Sequence, residues 1–429
     1  MIKQHLRQAW TMMKQQKLFT SIYITGTAIS IAMAMTIFVV LYIKLGPLYP
    51  EENRDRMVIL DGVYMHSSDT TRKYSYSFGL LFQDAEKVIK ESKYIKEACI
   101  KEEASNYSHY AFPEDGKKGI EIEPAYVDNG FWRVFNFNFL HGRPFTEADE
   151  HNPVAVITAS LAEKLYASTD VVGREVYIDS MRYDIIGVVE NPRTGNRTPF
   201  TGEDIFTSIH YSRIHKDSRM MMRGYCRIFM LAESSAKTGL LQKEVEGLVT
   251  RIYKNSDSKF FVFDRCRLWK YWQAILHVQG DSNWLDAIQK YLYALLAFLF
   301  IPALNLSGMI ASRMNSRLSE IGVRKSYGAT TRQIISQVLC ENLLLTLVGA
   351  TVGLIFSYIV VCKNSGWVIT LFDKRTSIEE YAISSEMLFN PTLIATVLLL
   401  IMLLNVSSAL VPTIFALRKN IIESLYRKR

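Results

Sequence analysis

Four long runs without a charged residue dominate the hydrophobic pattern of the chain. They cover residues 19–43, 291–312, 343–362 and 392–417, which are 25, 22, 20 and 26 residues long. A helix of about 20 residues crosses a hydrocarbon core of ~30 Å, so each run is long enough to span a membrane. Helices of soluble proteins are usually amphipathic, and a soluble core rarely holds four such runs. The pattern predicts an α-helical membrane protein with four transmembrane helices.

About 240 residues separate the first run from the second, and their pattern is mixed. Predicted strands cover 57–63, 107–112, 120–127, 154–157, 175–178, 183–189, 205–209, 225–231 and 259–263, and predicted helices cover 78–98, 158–166 and 240–253. Thr158 or Ser160 is expected to cap the second helix, and Asp179 with Ser180 to form a hairpin turn. We expect a large mixed α+β extracytoplasmic domain with an inserted subdomain at about 115–204.

Basic residues cluster in the short segments and predict the orientation of the chain. Residues 1–18 carry four basic and no acidic residues, 313–332 carry five and one, and 418–429 carry five and one. The loop 363–390 instead carries three basic and four acidic residues. Under the positive-inside rule both termini and 313–332 are cytoplasmic in a multi-pass protein of the cell inner membrane. The net charge of +8 is therefore a topology signal and gives no reason to invoke nucleic acid.

The predicted organisation has nine segments. They are an amphipathic cytoplasmic helix at 1–18, the first span at 19–43, the outer domain at 44–285, the second span at 286–312, a cytoplasmic segment at 313–332, the third span at 333–362, an outer loop at 363–390, the fourth span at 391–417 and a cytoplasmic tail at 418–429. The first span is too long for a signal-peptide core and lacks a cleavage site, so we expect a retained anchor. Residues 1–18 lie along the inner surface or extend the first span.

The segment 313–332 has the local chemistry of a short capped helix at the membrane face. Ser319 is placed to cap its start, and Glu320 sits near the positive end of the helix dipole with Arg324 four residues later. Gly328 is placed to end the helix in a left-handed turn, and Thr330 or Thr331 to cap the next one. Such a rigid element suits docking by another protein; the alternative is a solvated basic loop that only sets topology.

Three segments resemble a known family of membrane proteins. Residues 131–149 read FWRVFNFNFLHGRPFTEAD and are similar to a run in the MacB-type periplasmic core domain, whose pattern continues to 189. Residues 319–330 read SEIGVRKSYGAT and resemble a signature of FtsX/MacB-family ABC transporter permeases, and 420–425 resemble the end of many members. Ser319, Tyr327 and Ile421 depart from the family's pattern, which affects contact details.

The resemblance implies a permease subunit of a type VII, or mechanotransmission, ABC system. The segment would be the coupling helix that an ATP-binding subunit grips. Its residues are Glu320, Ile321, Gly322, Val323, Arg324, Lys325, Gly328 and Ala329. No glycine has the spacing of a phosphate-binding loop, so the chain is expected to be no enzyme and to hold no cofactor. ATP and Mg would bind the separate subunit.

Two functions from different classes fit this resemblance. In the first, the complex exports or extrudes a peptide, a lipoprotein or a toxic compound; in the second, it regulates a cell-wall hydrolase or senses an antimicrobial peptide without transport. Expected partners are the ATP-binding subunit, a second copy or a paralogous permease, and the lipid bilayer. A periplasmic adaptor and an outer-membrane channel are further candidates. The MacB-like motifs favour export.

Small residues recur every fourth position in two of the spans, which lets helices approach closely. They are Gly26, Ser30 and Ala34 in the first span and Gly349, Gly353 and Ser357 in the third. These two rows of small residues, called ridges below, can pack against helices of the same chain or of a second copy. No catalytic or metal-binding pattern is present; His141 and His151 do not have metal-ligand spacing. A Cys226–Cys266 disulfide is left open.

Overall fold

The computed structural model forms two compact units, Met1–Tyr42 with Asn283–Arg429 and Ile43–Ser282. It describes residues 17–68, 75–102, 108–116, 119–192, 203–212, 224–254, 261–278, 318–363 and 391–417, with isolated residues at 11–15 and 289–314. The predicted N-terminal helix, outer loop and C-terminal tail lie almost entirely outside these ranges.

The helices, in chain order, are α1 (Lys17–Leu45), α2 (Phe82–Glu91), α3 (Phe131–Val134), α4 (Ala159–Tyr166), α5 (Thr238–Lys254), α6 (Tyr271–Val278), α7 (Leu318–Ser326), α8 (Thr331–Lys363) and α9 (Pro391–Leu417). The strands are β1 (Met57–Ser67), β2 (Ser75–Phe78), β3 (Ile95–Glu102), β4 (His109–Pro113), β5 (Ile120–Ile122), β6 (Pro124–Val127), β7 (Phe139–Gly142), β8 (Val154–Thr158), β9 (Glu175–Ile178), β10 (Met181–Val189), β11 (Ile205–Ser208), β12 (Cys226–Ala232) and β13 (Phe261–Lys270).

Three helices of the described residues are long and apolar enough to cross a membrane. They are Lys17–Ile43, Thr331–Lys363 and Ile394–Phe415, which coincide with the first, third and fourth predicted spans. Most of the second predicted span falls outside the described residues, although those that are described there are helical. The membrane class of the fold is thus supported by three helices, and the count of four stays a prediction.

The unit Ile43–Ser282 is built on one mixed sheet. Its main path runs β13-β1-β12-β3-β6-β11-β8-β10-β9-β4-β5, with β2 paired to β1 and β7 paired to β10. Successive residues of a strand point to opposite faces. Accordingly Met57 and Ile59 join one core cluster with residues of α3 and α6, while Val58 and Leu60 join another with residues of α2 and α5. A third cluster lies under α4 beside β8, β9 and β10.

Local chemistry predicted several turns and caps correctly. Asp179 and Ser180 have φ angles of +47° and +75°, as the turn between β9 and β10 requires. Thr158, rather than Ser160, caps α4, because its hydroxyl oxygen accepts a hydrogen bond from Leu161 N at 3.3 Å. Both predictions concern contacts within a few residues of the chain.

One long helix prediction was wrong at both ends, since Phe78 belongs to β2 and residues 92–98 are not helical. The pattern at 78–98 predicts a single helix, but α2 ends at Glu91 and strand β3 begins at Ile95. Pairing with β12 along the length of β3 buries Ile100 and holds the segment extended. Tertiary pairing of this kind overrides local propensity. The predicted strand 120–127 is also interrupted and forms β5 and β6.

Candidate functional site

Helix α7 carries the candidate docking segment. It begins no later than Leu318, so Ser319 lies inside the helix and the prediction that it caps the start is wrong. Glu320 stands in the first turn, and Arg324 Nη2 donates a hydrogen bond to Glu320 Oε1 at 2.5 Å. Both side chains are partly exposed, so this ion pair contributes only a few tenths of a kcal/mol to about 1 kcal/mol.

One face of α7 is fixed to its own unit. Ile321 is buried in an apolar cluster with Ile310, Ile334 and Ala409, and Gly322 beside it is also buried. Arg324 Nη1 donates to Gln337 Oε1 of helix α8 at 2.8 Å. These contacts hold the short helix against α8 and α9 on its inward side.

A polar chain continues from that contact into the unit. Gln337 Nε2 donates to Glu341 Oε1 at 3.2 Å, and the Glu341 side chain is buried. A buried carboxylate is costly unless it is hydrogen-bonded. The hydrogen bond from Gln337 therefore stabilises the buried Glu341 carboxylate. The linked side chains of Glu320, Arg324 and Gln337 also set the rotation of α7 about its axis.

The end of α7 is a Schellman motif. Gly328 has a φ of +90°, Gly328 N donates to Lys325 O at 3.0 Å and Ala329 N donates to Arg324 O at 3.0 Å. Thr330 then caps α8, since its Oγ1 accepts from Gln333 N at 3.3 Å while Gln333 Oε1 accepts from Thr330 N at 2.9 Å. The predicted turn at Gly328 is confirmed, and Thr330 rather than Thr331 is the cap.

The opposite face of α7 presents apolar side chains to the surroundings. Val323 is 47% exposed, and Tyr327, which directly follows the last residue of α7, is 88% exposed; Glu320 stands on the same side at helical spacing. Tyr327 was not among the residues predicted to act here. Its signal in the sequence was its departure from the family's pattern at that position.

The small residues of α8 lie against α1 in the described structure. A Cβ atom built on Gly353 would lie 2.6 Å from Ala28 O, and one on Gly349 would lie 2.9 Å from Thr27 Cβ. Ser357, on the same ridge, is buried. On α1 itself Ser30 and Ala34 are buried, whereas a Cβ built on Gly26 meets no described atom within 4 Å. The structure thus brings the α8 ridge to α1 and leaves Gly26 with open space.

Polar side chains inside the same helices are hydrogen-bonded to one another. Asn405 Nδ2 of α9 donates to Thr346 Oγ1 of α8 at 3.1 Å, and the Tyr23 hydroxyl of α1 lies 3.3 Å from the same oxygen. Thr346 therefore joins three membrane helices through one hydroxyl. This arrangement satisfies Asn405, which would be costly against lipid.

The aromatic motif at 131–145 forms part of the core of the unit Ile43–Ser282. Phe131, Phe135 and Phe145 are fully buried, and the rings of Phe131 and Phe135 lie 4.8 Å apart. Trp132 meets the Phe145 ring edge-on at 5.3 Å. Such pairs stabilise a core beyond the area that they bury. The residues that carry the resemblance are here packing residues.

The polar end of that motif closes its own loop. Arg143 donates to both carboxylate oxygens of Asp149, at 2.6 and 3.0 Å, and Thr146 N donates to the same carboxylate at 2.9 Å. These hydrogen bonds, with that from Arg143 the largest effect, hold the pKa of Asp149 well below its usual range. Gly142 has a φ of +72° and leaves no room for a side chain beside Ile186 O.

Cysteines and histidines bring no further chemistry to the described residues. Cys226 and Cys266 are free, and their strands β12 and β13 lie on opposite sides of β1. Two strand spacings of about 4.8 Å exceed the Cα separation that a disulfide bridges, so that pairing is excluded. No group of three described His, Cys, Asp or Glu side chains could hold a metal ion. His141 contacts Thr169, and the His151 and His210 rings lie 4.8 Å apart in a tilted arrangement.

Comparison with known proteins identifies two domain families along the chain. A model of the MacB-like periplasmic core domain matches residues 20–248. A model of the FtsX-like permease C-terminal domain matches residues 292–421. The second match includes α7, α8 and α9.

Curated relatives are similar at about one residue in four. An uncharacterized ABC transporter permease, YknZ of Bacillus subtilis, is 25% identical over 56% of this chain and 58% of its own. The macrolide export ATP-binding/permease protein MacB of Chromobacterium violaceum is 24% identical over 72% of this chain and 44% of its own. The pyoverdine export ATP-binding/permease protein PvdT of Pseudomonas fluorescens is 24% identical over 53% and 33%. The chain spans between a third and three fifths of these relatives.

A solved structure resembles part of the chain. The periplasmic region of MacB from Actinobacillus actinomycetemcomitans aligns with 53% of this chain and 94% of that chain, with a TM-score of 0.36 and 16% sequence identity.

Proposed function

The chain belongs to the FtsX/MacB family of ABC transporter permeases, and on that premise we propose that it is the permease subunit of a mechanotransmission ABC system. In this role it couples ATP hydrolysis by a separate ATP-binding subunit to movement of its extracytoplasmic domain. The family supplies the permease component of ABC transporters, and in our proposal the ATP-binding partner hydrolyses ATP. ATP and Mg would bind there.

The division of α7 into two faces carries the proposal. Its inward face is fixed by Ile321 and by the hydrogen bond from Arg324 to Gln337. Its outward face presents Val323 and Tyr327. A rigidly held helix with exposed aromatic and aliphatic side chains is the kind of surface that a partner uses as an anchor. A push on this face would pass directly into α8, because the Schellman turn and the Thr330 cap join the two helices with few free torsions.

Export is the function that we favour for the complex. Two relatives are named for export, one of macrolides and one of pyoverdine, and they align with 72% and 53% of this chain. We propose that the cargo here is likewise a peptide, a lipoprotein or a toxic compound handled on the outer side. The alternative is regulation of a cell-wall hydrolase or of a peptide sensor. A periplasmic adaptor and an outer-membrane channel would accompany export alone.

Substitution of the outward face tests the docking role. Purification of the full chain in mild detergent is expected to recover an ATP-binding subunit. Tyr327→Ala combined with Val323→Asp should lower that recovery at least tenfold, since both side chains project from the helix and removing them leaves its inward anchors intact. Tyr94→Ala serves as the matched control, because Tyr94 is an exposed tyrosine of the outer domain. The thermal stability of all variants should stay within 2 °C of the parent.

Two results would contradict the proposal. Undiminished recovery of the ATP-binding subunit with the double variant would remove α7 from the docking surface. Purification of the intact complex without any ATP-binding subunit would instead indicate a receptor that works alone.

A further inference from the structure

Three polar residues form a buried cluster at the point where the chain enters the unit Ile43–Ser282, which is called the outer unit below. Glu51, Arg54 and Tyr271 are 0%, 4% and 1% exposed. Arg54 Nε donates to Glu51 Oε2 at 3.0 Å, and the Tyr271 hydroxyl donates to the same oxygen. The Arg54 guanidinium also lies 4.9 Å from the centre of the Tyr271 ring. Each member of the cluster thus contacts the other two.

Arg54 reaches from this cluster to the end of helix α1. Its Nη1 donates to Ile43 O at 3.0 Å and to Gly46 O at 2.7 Å. The last carbonyls of a helix lack partners within it, and a cation near them interacts favourably with the helix dipole. A single side chain therefore holds the end of α1 to the segment that follows it.

Tyr271 reaches from the same cluster to the end of the outer unit. It is the first residue of α6 and directly follows Lys270, the last residue of β13. Lys270 N donates to Gln273 Oε1 at 3.0 Å, which stabilises the start of α6. The cluster consequently ties the segment that enters the outer unit to the segment that leaves it, although they are 220 residues apart in the chain.

The segment between these ties is seated on the aromatic motif. Asn136 N donates to Pro50 O at 2.9 Å, and the Tyr49 hydroxyl donates to Glu190 O at 3.1 Å. The Tyr49 hydroxyl in turn accepts from Asn138 N at 3.0 Å. The cluster is therefore held on the sheet and is not a loose appendage of α1.

Packing alone does not explain this cluster, because burying its charged side chains costs free energy. An apolar triad of the same volume would be as stabilising or more so, because two charges lose their hydration. Burial, followed by the neighbouring Glu51, also raises the pKa of Tyr271 well above its usual value. Unlike an apolar triad, the polar triad specifies one geometry, because its hydrogen bonds form in only one arrangement of the three segments.

We propose that Glu51, Arg54 and Tyr271 are positioning residues that lock the end of α1 to the start of α6. The role of this lock in transport rests on the proposed function. The attachment of α1 to α6 by these three side chains does not depend on it. With the lock intact, force that arrives along α1 displaces the entering and leaving segments of the outer domain together. Without the lock, the last turn of α1 frays, and its displacement does not reach the entering and leaving segments of the outer domain together.

Hydrogen exchange of the full chain in lipid nanodiscs tests the lock without any partner. Arg54→Met should raise amide exchange at residues 44–52 and 271–278 at least tenfold, and leave β8 unchanged. Tyr271→Phe, which removes only the hydroxyl donor, should raise exchange about threefold in the same two segments and covers the case in which Arg54→Met fails to fold. Lys101→Met is the matched control, because Lys101 forms a buried ion pair with Glu203 in the interior of the sheet.

The outcomes separate the lock from ordinary structural stability. If Tyr271→Phe leaves both segments at parent rates, or raises exchange equally across the sheet, the lock does not exist as proposed. The lock is likewise excluded if Lys101→Met raises exchange at 44–52 as much as Arg54→Met does.

A second measurement addresses force transmission in the complex with its ATP-binding subunit. Arg54→Met should keep recovery of that subunit and its ATP hydrolysis within twofold of the parent. The ATP-dependent change in exchange of the outer domain should fall at least fivefold, while Lys101→Met keeps it. A full ATP-dependent change in Arg54→Met would overturn the role in transmission. Failure to recover any ATP-binding subunit would overturn the proposed function, and the exchange data from nanodiscs would still decide the lock.

Discussion

At the scale of single residues, two buried carboxyl groups make the outer domain sensitive to pH. Burial raises the pKa of Glu102 from 4.5 to about 7 and that of Asp128 from 3.8 to about 7. Ser212 Oγ donates to Glu102 Oε1 at 2.5 Å and offsets part of this effect. Glu102 Oε2 and Asp128 Oδ1 accept no hydrogen bond from the described residues. Both groups are therefore protonated more readily in the folded chain than in the unfolded chain.

The sign of the resulting pH dependence follows from proton binding. Because the folded pKa values exceed those of the unfolded chain, the stabilising contribution is complete below about pH 4 and is lost as the pH rises through about 7. A rise of 2–3 pKa units corresponds to on the order of 3 kcal/mol for each group. We expect Glu102→Gln and Asp128→Asn to raise the melting temperature at pH 8 and to flatten its dependence between pH 5 and 8.

Thermal unfolding of the full chain in detergent across that range provides the measurement. Glu121→Gln, at an exposed position of β5, is the control and should leave the slope unchanged. A slope that persists in the combined Glu102→Gln and Asp128→Asn variant would show that other groups cause the dependence.

At the scale of elements, the contact between α1 and α8 depends on the absence of side chains at Gly349 and, most tightly, at Gly353. A Cβ on Gly353 would lie 2.6 Å from Ala28 O and 3.0 Å from Ile31 Cβ, so the helices would have to separate. Overpacking of this kind costs about 1–3 kcal/mol. Gly353→Ala should therefore lower the melting temperature of the chain in detergent.

Gly26→Ala is the matched control for that substitution. It makes the same change in a neighbouring helix, where the added methyl group meets no described atom within 4 Å. Since alanine favours a helix over glycine by about 1 kcal/mol, this variant should keep or raise the melting temperature. Equal losses in the two variants would mean that the close approach at Gly353 does not stabilise the pair.

At the scale of the whole molecule, the orientation predicted from basic residues is open to a direct test. In a chain with its five native cysteines replaced, Leu140→Cys and Tyr327→Cys each present one exposed thiol, the first in the outer domain and the second at the end of α7. A membrane-impermeant maleimide should label Leu140→Cys in intact spheroplasts. Tyr327→Cys should react only after the membrane is permeabilised, and the reverse pattern would invert the topology.

Contacts between distant parts of the chain are the features that the sequence did not predict. The hairpin at Asp179 and the Schellman turn at Gly328 were predictable, because the groups that define them lie within a few residues of each other. The helix predicted at 78–98 overran because nothing local reveals that β12 pairs with 95–102. Glu51 and Arg54 stand in a run of charged residues that reads as solvent-exposed, and Tyr271 gives no sign of being their partner.

The sequence by itself determined that the chain is a membrane protein with a large mixed domain and a capped helix in a basic segment. Those features follow from hydropathy, charge and turn chemistry, which act over at most one helix length. The tertiary structure alone decided which face of α7 is exposed, which glycines of α1 and α8 are in close contact, and which carboxylates are buried. These properties depend on residues brought together from distant parts of the chain. Their burial and hydrogen bonds come into existence only when the sheet and the helices have assembled.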